Sequence, residues 1–268
     1  MVCTEEICVR LRANDPELTV IRSYDIEDYD SNRLMELTDA AKHSHHLEWI
    51  YVDLDYVRMD GWAALASLVN ISRSLEKLWM LNLRSEQRPR TEYISQFFAA
   101  MIPRAVSIKG FGLEMEEPDR TFGSLERPYI SNFFAKNDTI EIVNILCERR
   151  GNGGELYNHH HNEGSSFLDC VLLGLARNTT VEHLILRHSN RSPGCWMQVQ
   201  SQSIREFFRY NESVKTVGYM VGNNLAEAEG LGTSLKFNRK PRGLSLHNMS
   251  EAAAVGFFLH LPTASNLR

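Results

Sequence analysis

Two groups of histidines are the first residues in this chain whose spacing could do chemistry. His159, His160 and His161 are consecutive inside a glycine-rich stretch from Gly151 to Gly164, and His43, His45 and His46 form a second group. Imidazole is a good ligand for transition metals. Consecutive residues in regular structure cannot all converge on one ion, however, and neither CxxC nor HExxH accompanies them. The stretch is expected to be a solvated loop, and no metal is expected. The five cysteines, Cys3, Cys8, Cys147, Cys170 and Cys195, are odd in number and follow no CxxC spacing, which reads most simply as reduced thiols inside a cell. Cys147 and Cys195 with His183 or His188 make a conceivable nucleophile–base set, since such groups need not be adjacent in sequence. Cys147 follows an apolar strand-like run and is expected to pack instead. No GxSxG, P-loop or strand-following GxGxxG occurs, and Gly-Asn-Gly-Gly at 151–154 has no Lys-Ser/Thr behind it. The expectation is a protein that is not an enzyme and holds no cofactor.

Several triplets match the N-glycosylation pattern N-x-[ST], at Asn70, Asn137, Asn178, Asn211 and Asn248. Three of them also share a place in an internal repeat. In the segments starting at Ile130, Val171 and Ile204, an aliphatic residue is followed seven positions later by Asn (Asn137, Asn178, Asn211). Three positions further on comes another aliphatic residue (Ile140, Val181, Val214). Weaker copies start at Leu37, Leu65, Leu231 and Val255. A copy at Ile94 has its second half delayed to about Ile108 by Pro103 and a short insertion. The spacings between the eight starting residues are 28, 29, 36, 41, 33, 27 and 24. That range suits one helix plus one strand per unit, with loops of variable length. The longest units contain 151–164 and the acidic loop Glu114–Asp119.

The first half of each unit has helical period, with apolar residues at the start, +3 and +4: Leu65, Leu68, Val69; Ile130, Phe133, Phe134; Ile204, Phe207, Phe208. Asp60, Thr91, Ser166, Ser201 and Ser250 can accept from free N–H groups at helix starts, and Pro128 fits a first turn. The Asn at +7 suits a helix end, because Asn tolerates the left-handed conformation that often closes one. The second half reads LxxLxL, as in Leu75/Leu78/Met80 and Val181/Leu184/Leu186. It recurs at Leu47/Ile50/Val52, Ile108/Phe111/Leu113, Ile140/Val143/Ile145, Val214/Val217/Tyr219 and Pro241/Leu244/Leu246. Such alternation predicts a short strand.

LxxLxL after an amphipathic helix, over about residues 34–268, resembles leucine-rich repeats of the ribonuclease-inhibitor-like class. The resemblance implies an α/β fold, a right-handed α/β solenoid or horseshoe with a parallel inner sheet and outer helices, built here from about eight helix–strand units. Residues 1–33, with strand-like runs at Ile7–Leu11 and Leu18–Ile21 around Asn14-Asp15-Pro16, are expected to form an N-terminal cap or an irregular first unit.

In such a strand the consensus apolar residues point into the core and the intervening ones line the concave face. That puts Trp49, Tyr51, Asp53; Lys77, Trp79, Leu81; Gly110, Gly112, Glu114; Ile142, Asn144, Leu146; His183, Ile185, Arg187; and Thr216, Gly218, Met220 on the concave face. Trp49, Tyr51 and Trp79 should lie side by side. Aromatic residues and Arg are the usual anchors of protein interfaces. The candidate partner-binding set is Trp49, Tyr51, Lys77, Trp79, Leu81, His183, Ile185 and Arg187, docking a protein or peptide. The competing reading puts these side chains under a capping loop or a neighbouring segment. Substrate-receptor arms of ubiquitin ligases and small-GTPase regulators use repeats of this kind, but residues 1–33 are too short for an upstream F-box, and no clear match to a GTPase regulator's functional Arg and acidic tail is found. A net charge of −5 argues against nucleic acid. No apolar run is long enough to span a bilayer, and the N-terminus lacks a signal segment. The expectation is an intracellular monomer, cytoplasmic or nuclear, used as an interaction scaffold.

Overall fold

The computed structural model describes residues 4–22, 30–54, 56–83, 90–103, 106–116, 125, 127–148, 167–188, 201–220, 225–235, 241–247 and 250–260. Among these, helices and strands alternate: α1 (Thr4–Arg12), β1 (Val20–Ile21), α2 (Ser31–Ala41), β2 (Trp49–Asp53), α3 (Gly61–Ile71), β3 (Lys77–Leu83), α4 (Arg90–Ala100) and β4 (Gly110–Glu116). The alternation continues through α5 (Arg127–Lys136), β5 (Ile142–Glu148), α6 (Phe167–Leu175), β6 (His183–His188), α7 (Ser201–Tyr210), β7 (Thr216–Met220), α8 (Leu225–Leu235), β8 (Gly243–His247) and α9 (Glu251–His260). The strands form one sheet in chain order, each parallel to the next. Parallel neighbours need a crossover, and the helix of each unit supplies it.

The strand pattern holds at seven places. Ile50/Val52, Leu78/Met80, Phe111/Leu113, Val143/Ile145 and Leu184/Leu186 are all nearly inaccessible, and so is Val217; Leu244 and Leu246 of β8 pack against the core only partly. Each such side chain contributes about 1.5–3 kcal/mol on burial. Helix residues complete the same core, and Phe98 sits at its aromatic centre. Its ring centroid lies 5.3 Å from Phe133, 5.8 Å from Phe134, 5.9 Å from Phe167 and 6.1 Å from Phe111.

Three expectations are corrected. Ile7–Leu11 lies within helix α1, where an extended run was expected. Ile7, Cys8 and Leu11 form the buried face, and Val9, which made the sequence alternate, is 62% exposed. The starting residue of the last unit is displaced: Val255 is 53% exposed, while Ala253, Gly256 and Phe257 turn inward. The eighth strand of the sheet is β1, at the N-terminal side; Pro262 and Ser265, where a further strand half was expected, lie outside the described residues.

The third correction concerns the Asn at +7. Among the described non-glycine residues the positive φ belongs to Asn14, at 51°, so Asn137, Asn178 and Asn211 do not end their helices in the left-handed region. They are buried and tie neighbouring units together. The side-chain amide of Asn178 donates to the carbonyls of Phe134 (2.7 Å) and Asn137 (2.8 Å) in the unit before, while its Oδ1 accepts from the backbone N–H groups of Thr180 and Val181. Asn137 does the same with Pro103, Thr139 and Ile140, and Asn211 with Leu175, Ser213 and Val214. Thr139, Thr180 and Ser213 add a second rung, their hydroxyls donating to Val106, Asn137 and Asn178. The N-x-[ST] triplets at Asn137, Asn178 and Asn211 are thus two rungs of an inter-unit ladder; Asn70 bonds instead to Ala100 and Ile102 of the next unit, and Asn248 lies outside the described residues. Burying a polar backbone end requires such partners.

Helix starts follow in part. Ser250 Oγ accepts from Ala253 N–H, and Pro128 stands in the first turn of α5. Asp60 makes no side-chain cap bond, whereas Asp30 caps α2 by accepting from Arg33 N–H. Ser166 and the side chains of Thr91 and Ser201 lie outside the described residues.

Candidate partner-binding face

Because inward and outward side chains alternate along each strand, the parallel register lines the outward residues up in rows across the sheet. The first row runs Val20, Trp49, Lys77, Gly110, Ile142, His183, Thr216, Gly243. The second runs Tyr51, Trp79, Gly112, Asn144, Ile185, Gly218, Ser245. In a third, Asp53 stands beside Leu81, and Glu114, Leu146 and Arg187 follow one another. The eight candidate residues therefore share one sheet face, opposite the buried residues.

Their contacts differ. The Trp49 and Tyr51 ring centroids lie 5.9 Å apart, and Lys77 Nζ sits 3.8 Å above the Trp49 ring, a cation–π contact. Trp79 is level with Tyr51 in the register, but its indole lies on the other side, over β4: a Cβ at position 112 would come within 2.2–2.6 Å of three atoms of the Trp79 ring. Gly112 is what lets that ring down onto the backbone. Lys77 likewise passes 3.3 Å from where a Cβ at 110 would be. Trp49, Tyr51, Lys77, Trp79, Leu81, His183 and Ile185 are all half-buried. His183 Nδ1 lies 2.6 Å from Thr216 Oγ1. Arg187 has its backbone in β6, and its side chain lies outside the described residues.

Of the residues on this face outside the candidate set, one stands apart. Asn144 has a buried Oδ1 with no hydrogen-bond partner. The only signal for it in sequence is an amide at an outward strand position between glycine and isoleucine neighbours. Ile142, beside it, is 38% exposed.

Just before the strands runs a charged ladder. Lys109 binds Glu76 at 2.9 Å and Lys215 binds Glu182. Glu76 raises the pKa of Lys109, and Lys215 holds the Glu182 carboxyl below its ordinary range. All four are well exposed, so these pairs contribute little stability.

Few of the groups that could have done chemistry are among the described residues. Among the described residues no three of His, Cys, Asp or Glu are placed to hold a metal ion. His43 and His45 are exposed either side of buried Ser44, and His45 N–H donates to Asn14. Cys147 is aligned with His188 across β5 and β6, but both side chains lie outside the described residues, as do Cys3, Cys195 and residues 149–166 with the histidine run. Cys170 is buried in α6, and desolvation pushes its thiol up to about 12, which makes it an inert packing group. No helix among the described residues is long and apolar enough to cross a membrane.

No protein-family model matches the chain, and no curated protein sequence matches it. Several solved structures overlap with it. The leucine-rich-repeat-containing protein LegL7 from Legionella pneumophila shares 15% identity over 98% of this chain and 77% of its own, with a TM-score of 0.48. The tropomodulin C-terminal domain of Caenorhabditis elegans shares 15% over 65% and 92%, at 0.39. TLR13 in complex with ssRNA13 shares 13% over 93% and 34%, at 0.37. Overlaps below 0.5 add nothing to what the sheet and the repeat themselves show: the chain folds as a leucine-rich-repeat-like α/β solenoid, an open eight-stranded parallel sheet with a helix in every crossover.

Proposed function

We propose that the protein is an interaction scaffold that docks a protein or peptide on the open face of its sheet, chiefly over β2 and β3. The observation that carries this reading is the Trp49–Tyr51–Lys77–Trp79 group. Three aromatic rings and a cation stand half-buried on a strand face that a merely solvated surface would line with polar residues. Large rings already held by neighbours lose little freedom on docking, which is the character of an interface anchor. A reducing, intracellular setting belongs to the same proposal and is supported by the free, buried thiol of Cys170. Its class is binding rather than catalysis, and the ribonuclease-inhibitor-like subtype is part of the proposal.

The test is affinity purification from the native cell, comparing wild type with Trp49→Ala and Lys77→Glu. The expected outcome is at least one protein lost about tenfold in both variants, as for an interface anchor, with circular dichroism melts unchanged. Identical protein profiles from all three baits would sink the proposal.

A further inference from the structure

Asn144 stands in the middle of the open face, between Gly112 on one side and Ile185 on the other. Its Oδ1 is buried and accepts no hydrogen bond. Asn137, Asn178 and Asn211, by contrast, use both ends of their buried amides, each donating to the unit before and accepting from backbone N–H groups of its own unit. An acceptor withdrawn from water without a partner carries a desolvation penalty that nothing in the fold offsets. Such a group is accounted for when a donor arrives from outside.

The surroundings define that donor. Gly110 and Gly112 give β4 no side chain in the first two outward rows, and the Lys77 stem and the Trp79 ring lie over them. Ile142, 38% exposed, precedes Asn144 by two residues on β5, and half-buried Ile185 stands beside it on β6. None of these five residues is charged; the Lys77 ammonium is held over the Trp49 ring and Glu114 stands in the next row, so an uncharged segment is the one that needs no counter-charge at Asn144 itself. A side-chain amide has one acceptor and two donors, the complement of the N–H and C=O of a peptide group. The Trp79 ring occupies the glycine floor beside Asn144. A segment entering there has to displace the ring.

We propose that the centre of the open face takes an uncharged, extended peptide segment whose backbone amide pairs with the side-chain amide of Asn144. The proposal rests on the reading of the open face as the docking surface and names what docks there.

The full chain is immobilised and panned against a phage-displayed library of random peptides. Selected peptides are expected to share an uncharged run and to weaken on Trp49→Ala, which places them on the face. They are expected to weaken about tenfold on Asn144→Leu, the size of one desolvated hydrogen bond. Methylating one backbone nitrogen of a selected peptide should cost wild type the same factor and Asn144→Leu nothing further, as a coupled pair requires. Asn144→Leu should melt no lower than wild type, because it replaces an unsatisfied acceptor by an apolar group. If leucine does not fit, Asn144→Ser carries the same comparison. Face-bound peptides that ignore Asn144→Leu, additive losses on methylation, or selected peptides charged at their centre overturn the pairing and leave the docking face standing. Peptides indifferent to Trp49→Ala and Asn144→Leu alike, or a library that yields none, overturn both.

Discussion

Asn178 shows how much of the fold one side chain can hold. Its amide spans two units, donating to Phe134 and Asn137 and accepting from Thr180 and Val181, all at 2.7–2.8 Å and in a buried site. Asn178→Ala leaves two carbonyls and two N–H groups short of a partner. With the penalty of about 1–3 kcal/mol for a buried unsatisfied group, and partial rescue by water, a loss of about 2–4 kcal/mol in urea unfolding is expected with the slope unchanged. Asn178→Asp keeps the acceptor but sets a buried carboxylate oxygen against the same two carbonyls, so it should cost at least as much as alanine. A loss under about 0.5 kcal/mol for Asn178→Ala, the range of ordinary surface substitutions, would show that the rungs do not join the units. The repeat position of this residue was legible in sequence; its role was not, because a helix-ending Asn and an inter-unit Asn occupy the same place in the pattern. The partners lie 41 and 44 residues away, and no local rule reaches them.

At the level of elements, the strands were legible because each repeats the same three apolar positions and alternation has one physical meaning. The helices at the ends were less so. In α1, Ile7, Val9 and Leu11 alternate as a strand does, yet the buried residues are Ile7, Cys8 and Leu11, a helical set that requires a short cysteine to be counted as apolar. In α9 an aliphatic rule chose Val255 over Ala253, although the smaller residue is the one that packs. Small residues also decide how closely helices approach. Gly174 of α6 lies against α5, where a Cβ would meet Ser131 O at 2.6 Å and Phe134 Cβ at 2.8 Å. Backbone cannot yield there as a flexible side chain would, so Gly174→Ala should cost about 1–3 kcal/mol despite alanine's better helix propensity. Gly230 of α8 meets only Arg205 atoms at 3.8 Å and beyond, and Gly230→Ala should be neutral or slightly stabilising. Thermal melts of the two variants check the contrast; equal shifts would mean that helix spacing in the solenoid adjusts freely.

In the whole molecule, elements touch their sequence neighbours: helix on next helix, strand on next strand. Stability in such an array is a sum of unit terms and nearest-neighbour terms, so it depends on how many neighbours a unit has. The interior units have two. At one end β1 is two residues long; at the other β8 leaves Leu244 and Leu246 only partly buried, while α9 exposes Phe258 (66%) and Leu259 (76%). Opening should therefore start at the ends and reach β4, β5 and β6 last. Native-state hydrogen exchange is expected to be fastest in β1 and β8 and slowest in β5, flanked by full strands on both sides. Leu184→Ala, at a completely buried position in β6, should cost about 2–5 kcal/mol and accelerate exchange in β5 and β7 together. Leu244→Ala should accelerate it in β8, α8 and α9 and leave β3 to β5 at the wild-type rate, because the interior units never relied on that contact. If Leu244→Ala instead speeds every amide equally, the solenoid unfolds as one cooperative block, and the ladder of buried asparagines and hydroxyls couples units far beyond the neighbours they touch.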